Sequence, residues 1–455
     1  MDHTQRLAAF LAKLSLAELP PEVVHKAKLC LLDYIANVYG SLELDAVAGT
    51  IAYIRSLGGP PAATVLGGGF KTDLHHAAFL NGTTAEAIEA QDGLRFGGNH
   101  PGTAVIPAAL AVAEDRGQGG GAVIEAIVAG YEAANRPAAA MHPWHTLSGF
   151  LPTGTCGTFG AAAAAARLTG ADARGMLDAL GCAGYLAPVS MAEQLMGGYT
   201  VKIVQGGQGA LAGLMAAGLA RAGITGDRQV FEGSDLKGGF TQITTKVEPK
   251  FEKLTEGLGE HYTISDIYFK PYTACRHTHG AAQATLELLR EQPLEADAIA
   301  AVEVATYGMA SVAVGKGVKS GDTFVNAQFS IPYVVAVCLL DGALGPMQLT
   351  ERRMNDPALL ALAQKVTVRI DDELNRIYPE RTSSRVEIAF KDGRRRVRQV
   401  DIPKGDPRDP MEAADLADKV RRFAGHRDRE NTERIIAMIL DLEHLKDIGE
   451  LTGRV

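Results

Sequence analysis

The sequence has no surplus of positive charge, no paired cysteines and no apolar run of membrane-spanning length, and each absence removes a class of function. Lys and Arg number 45 against 53 Asp and Glu, a formal net charge of −8. A surface that neutralises nucleic-acid phosphates or anionic lipid needs the opposite balance, so no nucleic acid and no membrane is expected as partner. Local basic pockets remain compatible with this charge. Cys30, Cys156, Cys182, Cys275 and Cys338 are far apart and form no CxxC pair; they read as reduced thiols of a cytoplasmic protein. The most apolar stretch, Gly209 to Ala220, falls short of the ~18 residues that a bilayer span requires. The N-terminal MDHTQRLAAFLAKLSLAELP lacks the basic start, apolar core and cleavage site of a secretion leader, and patterns as an amphipathic helix.

What is present is glycine, 51 residues of it in a chain of 455. That excess suggests close helix packing and tight connections, and the length exceeds what one core usually serves. From Leu7 to about Ser265, segments such as VVHKAKLCLLDYIANVYG and TFGAAAAAARLTG carry apolar or small residues at helical spacing. Pro20-Pro21 before a helix and Gly40 at its expected end are ordinary helix punctuation. After Tyr268 the period changes to two in Ile299 to Tyr307, Lys365 to Leu374 and Ser384 to Pro403. Asp392-Gly393 predicts a primed two-residue hairpin with positive φ at both positions. The expectation is a mainly α protein: an all-helical domain over 1–268, a smaller α+β domain over 269–405, and C-terminal helices over 406–455 packing back on the first domain.

Three clusters carry chemistry. In NGTTAEAIEAQDGLRFGGNHPG, Glu86, Glu89 and Asp92 are three apart, as on one helix face, before a Gly-rich loop that delivers Arg95 and His100. An acidic stripe is ordinarily a solvated face, but an imidazole held on a loop points to function. In GGYTVKIVQGGQGALAG, Lys202 lies between apolar neighbours, which calls for snorkelling or an anionic partner. VKIV followed by Gly207-x-Gly209-x-x-Ala212 imitates a dinucleotide fingerprint, but no repeated βαβ pattern surrounds it. In FKPYTACRHTHG, Lys270, Tyr272, Arg276, His277 and His279 gather at the expected domain boundary. Lys and Arg clamp carboxylates while a neighbouring His moves protons. The His pairs 277/279, 142/145 and 75/76 lack a carboxylate or cysteine at zinc spacing, so no metal is expected.

Taken in order, LLDYIANVYG, LNGTTAEAIEAQDG, NHPGTAVIPAALAVAE, GFLPTGTCGTFGAAAAAARLTG, KIVQGGQGALAGLMAAGLARAGITG, FKPYTACRHTHG, QFSIPYVVAVCLLDG and IPKGDPRDPM resemble the MmgE/PrpD family over nearly the whole chain. The family includes enzymes that dehydrate 2-methylcitrate, decarboxylate cis-aconitate or epimerise iminodisuccinate. The resemblance implies a helical domain capped by a smaller lid, a homodimer, no cofactor, and a small di- or tricarboxylate substrate. It implies a site between the domains with Glu89 or Asp92, His100, Lys202, Lys270, His277 and Tyr333. On this reading Lys202, Lys270 and Arg276 hold substrate carboxylates, with Arg95 and His277 beside them. His100 or Tyr333 exchanges the α-proton, and Glu89 or Asp92 orients His100. Where relatives have histidine in a GFHPTGT-like segment this chain has Leu151, which disfavours decarboxylation and makes His145 the nearest substitute. Dehydration is the leading expectation, epimerisation the alternative, and a non-catalytic carboxylate-binding protein a third.

Overall fold

The computed structural model describes residues 2–455. Helix α1 (Pro21–Ser41) opens on a proline at its first turn and is buried on every side from Ala27 to Ser41, as expected of a helix apolar all round. Gly40 does not end it. It lies inside the last turn, where a Cβ would meet Ile88, Pro346 and Phe423 at 2.7–3.0 Å, so its role is close packing rather than capping.

Helices α2 (Leu74–Glu86), α3 (Gly102–Asp115), α4 (Gly120–Met141), α5 (Pro152–Leu168) and α6 (Gln205–Arg221) pack against one another beside α1. Small residues set their separation. A Cβ on Gly207 would lie 2.1 Å from the Phe79 carbonyl oxygen, and one on Gly160 would lie 2.7 Å from that of Gly130. The segment Thr200–Val204 is a 3-10 turn running into α6, not a strand, so the imitation of a nucleotide fingerprint is rejected on geometry. Because that turn extends α6, Thr200–Arg221 is 22 residues with mean hydropathy 1.2, apolar and long enough to cross a membrane; 61% of its most apolar window is buried within the protein. The Gly209 to Ala220 run is only the C-terminal part of this longer apolar helix.

Strand β1 (Gly93–Leu94) pairs antiparallel with β2 (Ile267–Tyr268), tying the first half of the chain to the point where its character changes. Beyond α7 (His279–Glu291), a four-stranded sheet has β3 (Ile299–Thr306) between β4 (Val366–Ile370) and β5 (Ser384–Phe390), with β6 (Arg395–Val400) outside β5. Helix α8 (Ile331–Asp341) lies between β3 and β4 in sequence and packs against α7. The expected strand from Lys365 to Leu374 stops at Ile370, because the Asp371 carboxylate accepts from the N–H groups of Glu373 and Leu374 and starts a helical turn. The β5–β6 turn differs from expectation too. Only Gly393 has positive φ, +87°, and the bonds from Gly393 N to Phe390 O and from Phe390 N to Arg394 O make a type I turn with a bulge. Helices α9 (Ala413–Ala424) and α10 (Arg429–Leu440) return to α1, where Lys419 is buried on Asp33 at 2.7 Å.

Candidate active site

Asp73 caps α2 by accepting from the N–H groups of His75 and His76, and the helix closes at Glu86. Glu86, Glu89 and Asp92 therefore do not share a helix face. The chain turns after Ala87, and Glu89 adopts φ +56°, a left-handed conformation that costs a non-glycine residue about 1–2 kcal/mol. Its side chain shows what offsets that strain.

Lys202 Nζ bonds Glu89 Oε2 and lies 2.8 Å from Glu86 Oε1, while Lys270 Nζ lies 2.7 Å from Glu89 Oε1 and 3.2 Å from the Glu89 carbonyl. All four side chains are buried. Gln205 and Gln91 donate further bonds to Glu86 Oε1 at 2.6 and 3.0 Å. Burial opposes charge here, but the Lys202 and Lys270 ammoniums hold the Glu89 carboxyl well below the usual carboxylate range. Glu86 and Glu89 likewise raise Lys202 against its own desolvation. The two lysines are thus engaged by glutamates, an anionic partner that the sequence allowed for Lys202 and did not announce for Lys270. Each keeps one N–H beyond these bonds, since an ammonium has three.

His100 sits at the edge of this cluster on the loop from β1 to α3. Its Nδ1 lies 2.6 Å from the main-chain carbonyl of Asp92. A carbonyl only accepts, so Nδ1 carries the hydrogen and Nε2 presents a lone pair. Burial, with the Lys270 charge, lowers its pKa to about 4, which keeps the ring neutral at pH 7. The loop is pinned: His100 N donates to Thr153 Oγ1 at 3.0 Å, Leu94 N to Asn99 O at 3.0 Å, and Thr103 Oγ1 to His100 O at 3.0 Å. Gly93 makes room beside it, because a Cβ there would meet the Tyr268 hydroxyl at 2.5 Å and His100 Nδ1 at 3.0 Å. Asp92 orients His100 by its carbonyl, not its carboxylate as expected. The carboxylate faces away, accepting from Tyr131 at 2.6 Å and Gly102 N at 3.2 Å, and burial together with Asp33 raises it to about 7.

Arg276, His277 and Arg95 form an outer group. The Arg276 guanidinium lies over the Tyr268 ring and donates at 2.7 Å to the carbonyls of Lys404 and Pro403. His277 Nδ1 shares a 2.6 Å hydrogen bond with the Tyr307 hydroxyl, and burial with Lys270 and Arg276 lowers it to about 4. Two expected members lie elsewhere. The Tyr333 hydroxyl donates to the Gln348 carbonyl, and its charged neighbours are Arg353 and Asp341, not the glutamate–lysine cluster. His145 is enclosed with both nitrogens bonded, Nδ1 to Thr244 and Nε2 to Thr155 Oγ1 at 2.8 Å, and burial lowers it to about 4. Its two bonded nitrogens leave neither open to a substrate, and Leu151 is buried at the start of α5.

Gln91 and Tyr307 were not named as expected site residues, and Glu86 was named only as part of the acidic stripe. Glu86 and Gln91 stand in the quoted acidic motif, whereas Tyr307 only follows a strand and carries no sequence signal. Among the described residues, one trio, Asp441, Glu443 and His444, brings metal-type ligand atoms within 4.8 Å of one another. Its members pair with Lys28 and with each other, and none belongs to the site.

Two family models match the chain: the MmgE/PrpD N-terminal domain over residues 5–252 and the MmgE/PrpD C-terminal domain over residues 272–444. The chain belongs to the MmgE/PrpD family. Among curated proteins it is similar to cis-aconitate decarboxylase of Aspergillus terreus, 28% identical with 98% of this chain and 94% of that protein covered. The cis-aconitate decarboxylase-like protein of Aspergillus oryzae is 28% identical, covering 99% and 97%, and human cis-aconitate decarboxylase 25% identical, covering 99% and 93%.

Proposed function

We propose that the chain is a cofactor-independent lyase that removes a proton α to a carboxylate of a small di- or tricarboxylic acid and expels a β-hydroxyl as water. The observation that carries this reading is His100, a neutral imidazole whose Nε2 lone pair is available beside a buried pair of lysines. His100 Nε2 takes the α-proton. The electron pair enters the adjacent carboxylate, where the remaining N–H groups of Lys202 and Lys270 stabilise the added charge. The pair then forms the carbon–carbon double bond as the hydroxyl leaves with a proton, for which the Tyr307–His277 hydrogen bond offers a donor. Relatives named for cis-aconitate, a small tricarboxylate, support the substrate class.

Epimerisation is the second reading, favoured by Leu151, since returning the proton to the opposite face needs no leaving-group acid. Proton NMR in deuterated buffer with 2-methylcitrate, citrate, cis-aconitate and iminodisuccinate separates them. A dehydratase exchanges and forms an alkene or hydrates one; an epimerase exchanges with its skeleton intact. Silence across the panel, with binding retained, would leave a carboxylate-binding protein.

The segment 269–405 is proposed as a lid, because Arg276 and His277 come from it while Glu89 and His100 come from the helical part. A homodimer is proposed on the exposed apolar residues of the segment 185–201, where Tyr185 is 92% exposed and Val189, Met191, Met196, Tyr199 and Val201 are each at least half exposed. Five free, buried cysteines support a cytoplasmic setting.

A further inference from the structure

The inner and outer halves of the site differ in charge balance. Inside, Glu86 and Glu89 face Lys202 and Lys270, and His100 is neutral. Outside, Arg95 and Arg276 have no such partners. The terminal nitrogens of Arg276 are bonded to carbonyls of the 403–404 turn, which carry no net charge. The nearby Asp406 carboxylate is bound by its neighbour Arg408 at 2.8 and 3.1 Å.

Arg95 is the unsatisfied member. It arrives from the loop after β1, beside the ring of Phe96 at 4.8 Å. Its Nη2 is buried and has no hydrogen-bond partner. The groups around it come from the second half of the chain: Tyr307 and Tyr378, whose rings stack at 4.5 Å, with Asp406, Arg408, Arg276 and His277. A buried guanidinium nitrogen without an acceptor is costly, and a planar anion with two oxygens is the ligand that satisfies it. Lys270 acts electrostatically on both His100 and His277, and Arg95 acts on His277, so His277 and Lys270 link the open donor to the proposed base.

We propose that Arg95 is the specificity-determining residue of this site: it receives a second substrate carboxylate, remote from the carbon that loses its proton, and thereby selects di- and tricarboxylates over monocarboxylates. The proposal rests on the reading of these residues as an organic-acid site. A monocarboxylate that reaches the lysines leaves the buried Arg95 Nη2 unpaired, and a site built to bond a polar group rejects analogues that lack it.

Calorimetric binding tests this without requiring turnover. Propane-1,2,3-tricarboxylate and butyrate are titrated into the full-length wild type, Arg95→Gln and Arg95→Lys, each checked for folding by circular dichroism. The wild type should prefer the tricarboxylate, and Arg95→Gln should lower that preference by about tenfold or more, the scale of one lost charge-assisted pair. Arg95→Lys should fall between, since it keeps the charge without the fork; it also serves if the glutamine variant does not fold. An unchanged preference, or equal weakening of both acids, would overturn the proposal. A wild type that binds neither acid would instead remove the organic-acid reading on which it rests.

Discussion

Glu89 and Lys270 stand 181 positions apart in the chain, yet Lys270 Nζ lies 2.7 Å from Glu89 Oε1 and also bonds the Glu89 main-chain carbonyl. One residue thus binds the lysine by both its backbone and its side chain, in a left-handed conformation held at φ +56°. The β1–β2 pair makes this possible, for it places Tyr268 opposite Gly93 and so brings the following residues against the Glu89 turn.

Glu89→Gln should destabilise the protein by about 3–5 kcal/mol, because it leaves two buried ammoniums short of a countercharge. Urea unfolding measures it as a lower midpoint at unchanged slope. A loss under about 1 kcal/mol, the range of an exposed ion pair, would mean that the cluster is solvated.

Gly93→Ala should lower turnover by roughly a hundredfold while leaving the fold intact, since its Cβ would push on both the Tyr268 hydroxyl and His100 Nδ1, and about 1 Å of displacement at a reacting group costs that much. Steady-state kinetics with circular dichroism checks it. Wild-type turnover in the variant would show that His100 need not be held where it is.

His100 should remain unprotonated at pH 5.5, with its pKa near 4 rather than 6.5. Histidine ring-proton NMR, assigned with His100→Gln, reads this directly, and a His100 signal titrating near 6.5 would contradict it. Stability follows the same sign. A histidine whose folded pKa is depressed contributes stability above its unfolded pKa of about 6.5, lost as pH falls through the folded value. For the enclosed His145, also near 4, the loss reaches about 3 kcal/mol by pH 4. The wild-type Tm should therefore fall from pH 7 to pH 4, and less steeply in His145→Gln at its lower starting stability.

Tyr185→Arg combined with Val189→Glu should convert a dimer to a monomer in light scattering, because both side chains project from the exposed apolar segment. A doubly substituted protein that elutes as the wild type does would place the interface elsewhere.

Much of this was legible in the sequence. The change from helical to alternating period near Tyr268 marks where the sheet-bearing part begins, and the family resemblance brought Glu89, His100, Lys202 and Lys270 forward. Their roles were less legible. Periodicity put Glu86, Glu89 and Asp92 on one face, since nothing local announces that the helix stops at Glu86 and that a glutamate turns left-handed. The apolar neighbours of Lys202 allowed for an anionic partner, but nothing local named Glu86 and Glu89 as that partner or paired Lys270 with Glu89. Tyr333 and His145 had the right residue types, but their hydrogen bonds are taken by the Gln348 carbonyl and by Thr244 and Thr155, which only the packing reveals.

The central claim is that His100 takes the substrate α-proton, and solvent-deuterium exchange measured by NMR tests it most directly. With 2-methylcitrate, citrate, cis-aconitate and iminodisuccinate as substrates, wild type and Tyr333→Phe should exchange the α-proton of the substrate that turns over, and folded His100→Gln should not. Exchange that survives in His100→Gln and disappears in Tyr333→Phe would contradict the account.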